Sequence, residues 1–286
     1  MDMQRMWGKI FYVMQTKEIF KKFSLYVKTN VDDIPLANEY VLWIDNMGTS
    51  ARMSVSIQQS ANFLLKLHQA IQKASEGKNG LRVYPIMDAA YVTSKTQDEM
   101  LSFINSLFTI LTLEFIRQED PEHQFLVRGS LSYGPVYHAQ DLIPWMTRDE
   151  SGDESGDESG DESGDESYWE KVLLGIPIIQ AYDSEGKAPP MGVFVHETAR
   201  AFSPENEKLL PYVWDVWQVP QLLKGNNLGI DGNELWFELN KSLILYFDWC
   251  KQHSLRIGYS EDAIERHKKL WEAYYKRYQD IYANKK

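Results

Sequence analysis

The stretch "EYVLWIDNMGTSARMS", Glu39 to Ser54, sets the apolar run "YVLWI" against one carboxylate, Asp45, and follows it with Gly48, Thr49 and Ser50. The β-branched and aromatic residues of "VLWID" predict a short buried strand, and the glycine after it a turn into a helix. An ionisable side chain at the mouth of such a strand is costly unless a turn, a cap or a bound cation makes use of it. What Asp45 does depends on what the rest of the chain brings alongside.

Downstream, Val55, Ile57, Ala61, Leu64, Leu65, Leu67 and Ile71 recur near helical spacing, so a helix is predicted from about Ser50 to Ala74, ended by "EGKNG". "LRVYPIMDAAYVTS" reads as strand, a break at Met87 and Asp88, and strand again. "QDEMLSFINSLFTILTLEFIRQ" is a second amphipathic helix. "QFLVRGSLSYGPVYHA" is a strand or a hairpin with turn chemistry at Gly134-Pro135, its Leu131 and Tyr133 alternating with Ser130 and Ser132. "VLLGIPIIQAYDSEGKA" reads as a strand end running into a helix, and "PPMGVFVHETAR" as another strand. The order β-α-β-β-α-β predicts an α/β (α+β) fold with a ferredoxin-like sheet and helices packed on one face. The end of the chain, "GNELWFELNKSLILYFDWCKQHS" and "SEDAIERHKKLWEAYYKRYQDIYANKK", is helical by period and rich in Trp and Tyr, which predicts packing on the core or on a second chain.

At 286 residues, 43% hydrophobic and 13% aromatic, the chain can bury a full core. Its net charge of −11 is local, because the run from Asp149 to Ser167, four Ser-Gly-Asp-Glu units with their flanks, holds ten acids and no base. That run cannot bury anything and is predicted to be a self-repelling loop, a solvated spacer rather than a calcium site. The expected organisation is an N-terminal segment over 1–35, a catalytic domain over 36–205 interrupted by the acidic loop 149–167, and a helical extension over 206–286. No basic cluster marks a nucleic-acid surface. Cys250, the one cysteine, allows no intrachain disulfide, and the sequence has no signal-peptide pattern and no run of roughly 18 apolar residues, so a cytoplasmic protein without a membrane span is expected.

In this order the first strand ends at Asp45 and the hairpin turns at Asp88. Neighbouring strands would bring both carboxylates to one sheet edge. Two oxygen donors beside a glycine turn at a helix start suit hard divalent ions, and free backbone amides there suit phosphate oxygens. Spacing alone leaves the plainer reading open, in which each Asp is a turn or cap residue.

Four segments in register, "VLWIDNMGTS", "RVYPIMDAAYV", "FLVRGSLSYGPVY" and "LLGIPIIQAYDSE", resemble successive blocks of the class III nucleotidyl cyclase catalytic domain, over about Glu39 to Phe202. The resemblance implies Asp45 and Asp88 as ligands of two Mg²⁺ or Mn²⁺ ions, with the Ile44 carbonyl completing a metal shell. It also implies amides from Asn46, Met47, Gly48 and Thr49 on the triphosphate. It further implies a homodimer with shared active sites and a 3′,5′-cyclic nucleotide as product.

The departures from that family are as informative. Its base-reading Lys corresponds to Tyr84, its base-reading acid falls near Val172, and its transition-state Asn and Arg fall on Ile179 and Asp183. Metal ligands without the purine set, together with "AYDSE" (Ala181 to Glu185), resemble the Pycsar-type bacterial pyrimidine cyclases of antiphage defence. These make cyclic CMP or cyclic UMP for a separate effector. A pyrimidine leaves room that Tyr84 would fill. With no helix Arg, Arg52 and Arg128 are the candidates for transition-state charge, although an Arg at either place also reads as a surface ion-pair partner. The competing expectation is a cyclase-fold protein without catalysis, binding nucleotide or serving as a scaffold. The histidines form no zinc pattern, and "RGSLSYG" lacks the spacing of a nucleophile elbow.

Overall fold

The computed structural model describes residues 26–27, 36–142, 146–147, 171–201, 216–217 and 232–283. The acidic repeat lies outside them. The chain forms two compact units, one of Met1–Leu36 with Tyr137–Leu174, the other of Ala37–Val136 with Gly175–Lys286.

In the smaller unit, β1 (Tyr26–Val27) pairs antiparallel with β6 (Met146–Thr147). The larger unit carries the main sheet. Its first strand is β2 (Ala37–Asn46), followed by the short helix α1 (Thr49–Met53) and by α2 (Ile57–Ser75). The hairpin β3 (Leu81–Ile86) and β4 (Ala89–Ser94) leads into α3 (Gln97–Arg117) and β5 (Val127–His138), whose last two residues belong to the smaller unit. There they precede α4 (Ala139–Leu142) and pair with β7 (Leu173–Leu174). Then come α5 (Ile176–Ser184), a 3₁₀ turn at Glu185–Lys187, β8 (Val193–Val195), α6 (Glu197–Ala201) and β9 (Val216–Trp217). The chain closes with α7 (Gly232–Gln252), α8 (Ser254–Ile257) and α9 (Glu261–Ala283).

The strands lie in the order β3-β4-β2-β5-β8-β9, with β3, β4, β2 and β5 successively antiparallel, β8 parallel to β5 and β9 antiparallel to β8. The first four strands give the ferredoxin-like α+β arrangement that the element order predicts. Strand alternation divides β2 between two faces. Tyr40, Leu42 and Ile44 enter the main core with Phe63 and Leu67 of α2 and Phe103 and Leu107 of α3. Val41, Trp43 and Asp45 point to the opposite face, where α5 packs on β2. Ser130 and Ser132 of β5 share that second face and are buried on it, so the apolar and polar alternation in "SLSY" separates two covered faces.

One local expectation changes, and one left open is decided. The long first helix is broken, because Ser56 caps α2 by accepting the Gln59 N–H, and Val55 and Ile57 at the break are exposed. No hairpin forms at Gly134-Pro135; β5 runs straight through, with Pro135 opposite Asn38. Among the described residues one helix, α3, is long and apolar enough by length and composition to cross a membrane. Its apolar side chains, Met100 through Phe115, are core contacts of the sheet and of α2 and α7.

Candidate active site

The site grows from the register of β2. Asp45 lies opposite Ala89 on β4 and opposite Arg128 on β5. Asp88 occupies the two-residue turn between β3 and β4, and its carbonyl accepts the Asn46 N–H at 3.2 Å. The end of β2 is thereby tied directly to the hairpin turn, which brings Asp45 and Asp88 to one end of the sheet. The turn itself is unusual, since Met87 takes φ 41°, a left-handed value that a side chain rarely tolerates. His68 on α2 holds it, with Nε2 2.8 Å from the Met87 carbonyl.

A third carboxylate joins them. Glu185, at the 3₁₀ turn after α5, makes an ion pair with Arg128 Nε and shares a hydrogen bond with Asp45. Burial, the charges of Glu185 and Asp88, and that hydrogen bond push the Asp45 carboxyl up to about 7, against the opposing pull of Arg128. Glu185 was not among the residues singled out from sequence as site members. The signal that could have found it is the "AYDSE" segment, where it stands last.

Beyond β2, the Met47 N–H donates to the Leu126 carbonyl at 2.8 Å, and the Thr49 hydroxyl to the Asn46 carbonyl at 2.9 Å. The Asn46 and Met47 amides are therefore engaged. Among the described residues the Gly48 and Thr49 amides have no backbone partner, and Gly48, at φ 80°, caps α1 with open space where a Cβ would stand. Asn46 is buried, and its Nδ2 has no hydrogen-bond partner among the described residues.

The other expected residues are placed differently. Ile44 is fully buried one residue inside the strand, and the two-residue alternation of the ladder turns its carbonyl toward Ala90, away from the strand end. Arg52 does not reach the carboxylates. It is buried, donates through Nη2 to the Tyr246 hydroxyl, and lies 4.9 Å from the centre of the Phe63 ring. Tyr84 sits opposite Tyr91, which sits opposite Trp43, so all three are one step along the Asp45 face. Trp43 and Tyr91 pack at 4.4 Å between ring centres, and Tyr182 of α5 closes over Trp43 at 5.5 Å. Ile179 and Asp183 are exposed on α5. Val172 lies in the smaller unit, where its carbonyl accepts the Ala139 N–H.

The donor chemistry suits a hard divalent cation: the acids are all oxygen donors, and such an ion relieves the repulsion from Glu185 and Asp88 that, after burial, raises the Asp45 carboxyl. Among the described residues no three His, Cys, Asp or Glu side chains already converge on one point. Arg128 supplies the positive charge at this cluster, held against Glu185.

No protein-family model and no curated protein matches the chain. Solved structures do. A bacterial light-regulated adenylyl cyclase is similar with a TM-score of 0.43 at 12% identity, over 84% of this chain and 70% of that one. The guanylyl cyclase domain of the RhoGC fusion protein from the aquatic fungus Blastocladiella emersonii is similar with a TM-score of 0.41 at 16% identity, over 58% and 83%. The adenylyl cyclase CyaB from P. aeruginosa gives 0.38 at 10%, over 58% and 80%.

Proposed function

We propose that this chain is a nucleotide cyclase that converts a pyrimidine nucleoside triphosphate, CTP or UTP, to its 3′,5′-cyclic monophosphate and pyrophosphate. The observation that carries the reading is the meeting of Asp45 and Asp88 at one sheet end through the Asn46-to-Asp88 hydrogen bond, with Glu185 and Arg128 alongside. Folding does not favour acids held together where burial and repulsion raise a carboxyl to about 7; cation binding does.

In this reading Asp45 and Asp88 hold Mg²⁺ or Mn²⁺, two per site, which when bound supply Lewis-acid charge for phosphoryl transfer. The Gly48 and Thr49 amides receive triphosphate oxygens. Arg128 offers fixed positive charge beside the transferred phosphoryl group. The ribose 3′-oxygen bonds to the α-phosphorus, the bond to the bridging oxygen breaks, and pyrophosphate leaves, with the 3′-hydroxyl proton taken up at the carboxylate cluster. Tyr84, in line with Tyr91 and Trp43, fills the space that a purine would need.

The exposed side chains Ile176, Ile179 and Tyr182 on α5 support a homodimer in which a second copy covers this helix. The product would act as a second messenger on a separate effector in antiphage defence. The division into a segment over 1–35, a cyclase domain over 36–205 and an extension over 206–286 belongs to the same proposal.

The test is incubation of the purified protein with each of the four nucleoside triphosphates and Mn²⁺, followed by the product mass. Cyclic CMP or cyclic UMP is expected. Cyclic AMP or cyclic GMP alone would sink the pyrimidine reading. Binding without any product would favour the second reading, a nucleotide-binding scaffold.

A further inference from the structure

Arg52 is an arginine whose guanidinium is buried, and the partner it finds lies 194 residues further along the chain. Tyr246 of α7 accepts its Nη2 proton and in turn donates to the Gln124 carbonyl at 3.4 Å. Both contacts lead to the same place. Arg52 belongs to α1, whose first residue follows Gly48, and its own N–H donates to the Gly48 carbonyl at 3.1 Å. Gln124 stands two residues before Leu126, whose carbonyl holds the Met47 N–H. One hydroxyl of the C-terminal extension thus links α1 to the segment before β5, and each of these is in turn hydrogen-bonded to the stretch from Asn46 to Thr49.

A second contact presses on α1 from the same extension. Gly258, in the left-handed conformation at φ 66°, ends α8 so close to α1 that a Cβ there would stand 2.6 Å from the Ala51 carbonyl oxygen. A third anchors the extension itself, as Arg256 pairs with Glu122, which also accepts from Gln59 of α2. These three contacts come from α7 to the end of α8 and converge on α1 and its surroundings.

We infer that the C-terminal helices form part of the phosphate-binding apparatus, and that Arg52 is a positioning residue through which Tyr246 holds α1 and the Gly48-Thr49 amides in place. This rests on the reading that those amides receive the triphosphate. Arg52 acts from behind the turn and touches neither substrate nor ion.

The test uses the full chain with Tyr246→Phe, which keeps the ring packed on Phe115 and removes only the hydroxyl. Two quantities are read: hydrogen exchange of the amides from Met47 to Met53, and the affinity for inorganic triphosphate in the presence of Mn²⁺. Loss of one charge-assisted hydrogen bond is expected to speed that exchange by about tenfold and weaken triphosphate binding by about tenfold, with exchange in β2 and β4 unchanged. Arg52→Lys should retain most of the wild-type affinity, whereas Arg52→Met should lose it. If Tyr246→Phe does not fold, the double variant Arg52→Met with Tyr246→Phe leaves no buried charge unpaired, and its affinity decides. Unchanged exchange in α1, or loosening spread over the whole sheet, would overturn the inference. So would unchanged triphosphate affinity. A wild-type protein that binds triphosphate yet cyclises nothing would instead refute the proposed reaction and leave this clamp standing.

Discussion

Asp45 and Arg128 face each other in register across β2 and β5, so an acid and a base stand side by side on the same face of the sheet. The pair is not a simple ion pair, because Arg128 is engaged by Glu185 and Asp45 shares a hydrogen bond with that same Glu185. One guanidinium answers more than one carboxylate, so acids outnumber bases at this end of the sheet.

The first consequence concerns stability and pH. The Asp45 carboxyl stands near 7 in the folded chain against 3.8 ordinarily, so the folded state binds its proton more tightly than the unfolded state does. A raised acid contributes stability that is complete below the unfolded value and is lost as pH climbs through the folded one. Without divalent ions, the wild type should lose stability between pH 4 and 7, and Asp45→Asn should flatten that slope and be more stable at pH 8 by about 1–2 kcal/mol. Thermal unfolding across this range reads the effect. A wild type that gains stability over the same window would contradict it.

The second concerns the ions. Asp45→Ala and Asp88→Ala should each lower cyclase activity by more than about 100-fold while leaving the circular dichroism spectrum unchanged. Millimolar Mn²⁺ should raise the melting temperature of the wild type and of neither variant, since only a ligand held by the folded state shifts the equilibrium. An equal shift in all three would place the ion elsewhere.

Glu185 can be separated from its neighbours by a neutral replacement. Glu185→Gln removes the repulsion that is the largest contribution after burial to the raised Asp45 carboxyl, so Asp45 would ionise at lower pH. The acid limb of the pH–rate profile should move down by about 1 pH unit. A limb that stays in place would show that Asp45 is not the group being titrated.

The hairpin turn offers a test of backbone strain. Met87 is 78% exposed, so its side chain contributes little packing, yet it occupies φ 41°. Met87→Val should destabilise the protein by about 1–2 kcal/mol, because a β-branched side chain tolerates that region least, whereas Met87→Gly should not destabilise it. The urea midpoint, at unchanged slope, measures both.

Much of the fold was open to a reader of the sequence, for reasons visible in individual residues. Leu131 and Tyr133 alternate with Ser130 and Ser132, and Met87-Asp88 interrupts two β-rich runs, so the strand order follows from local pattern. Asp45 and Asp88 could be brought together from that order because one stands at the end of a strand and the other in the hairpin turn beside it. The fate of Arg52 could not be read. An arginine early in a helix looks like a surface residue, and its burial depends on a tyrosine contributed by a distant helix. Glu185 was hidden for a similar reason, as only the packing of α5 across the sheet carries it to Asp45. The Ile44 carbonyl turned on a matter of parity: one residue along a strand reverses which neighbour its peptide faces. The break before α2 was legible in principle, since Ser56 is a good cap, but the apolar residues flanking it continued the helical rhythm.

Cys250, one turn of α7 beyond Tyr246, is completely buried, and burial pushes its thiol up to about 11. As the one sulfhydryl in the sequence, it is a built-in reporter for the helix that backs α1. An alkylating reagent can reach it only in those moments when α7 lifts away. The labelling rate of the unmodified protein would then count such excursions directly, and saturating nucleotide should slow the count.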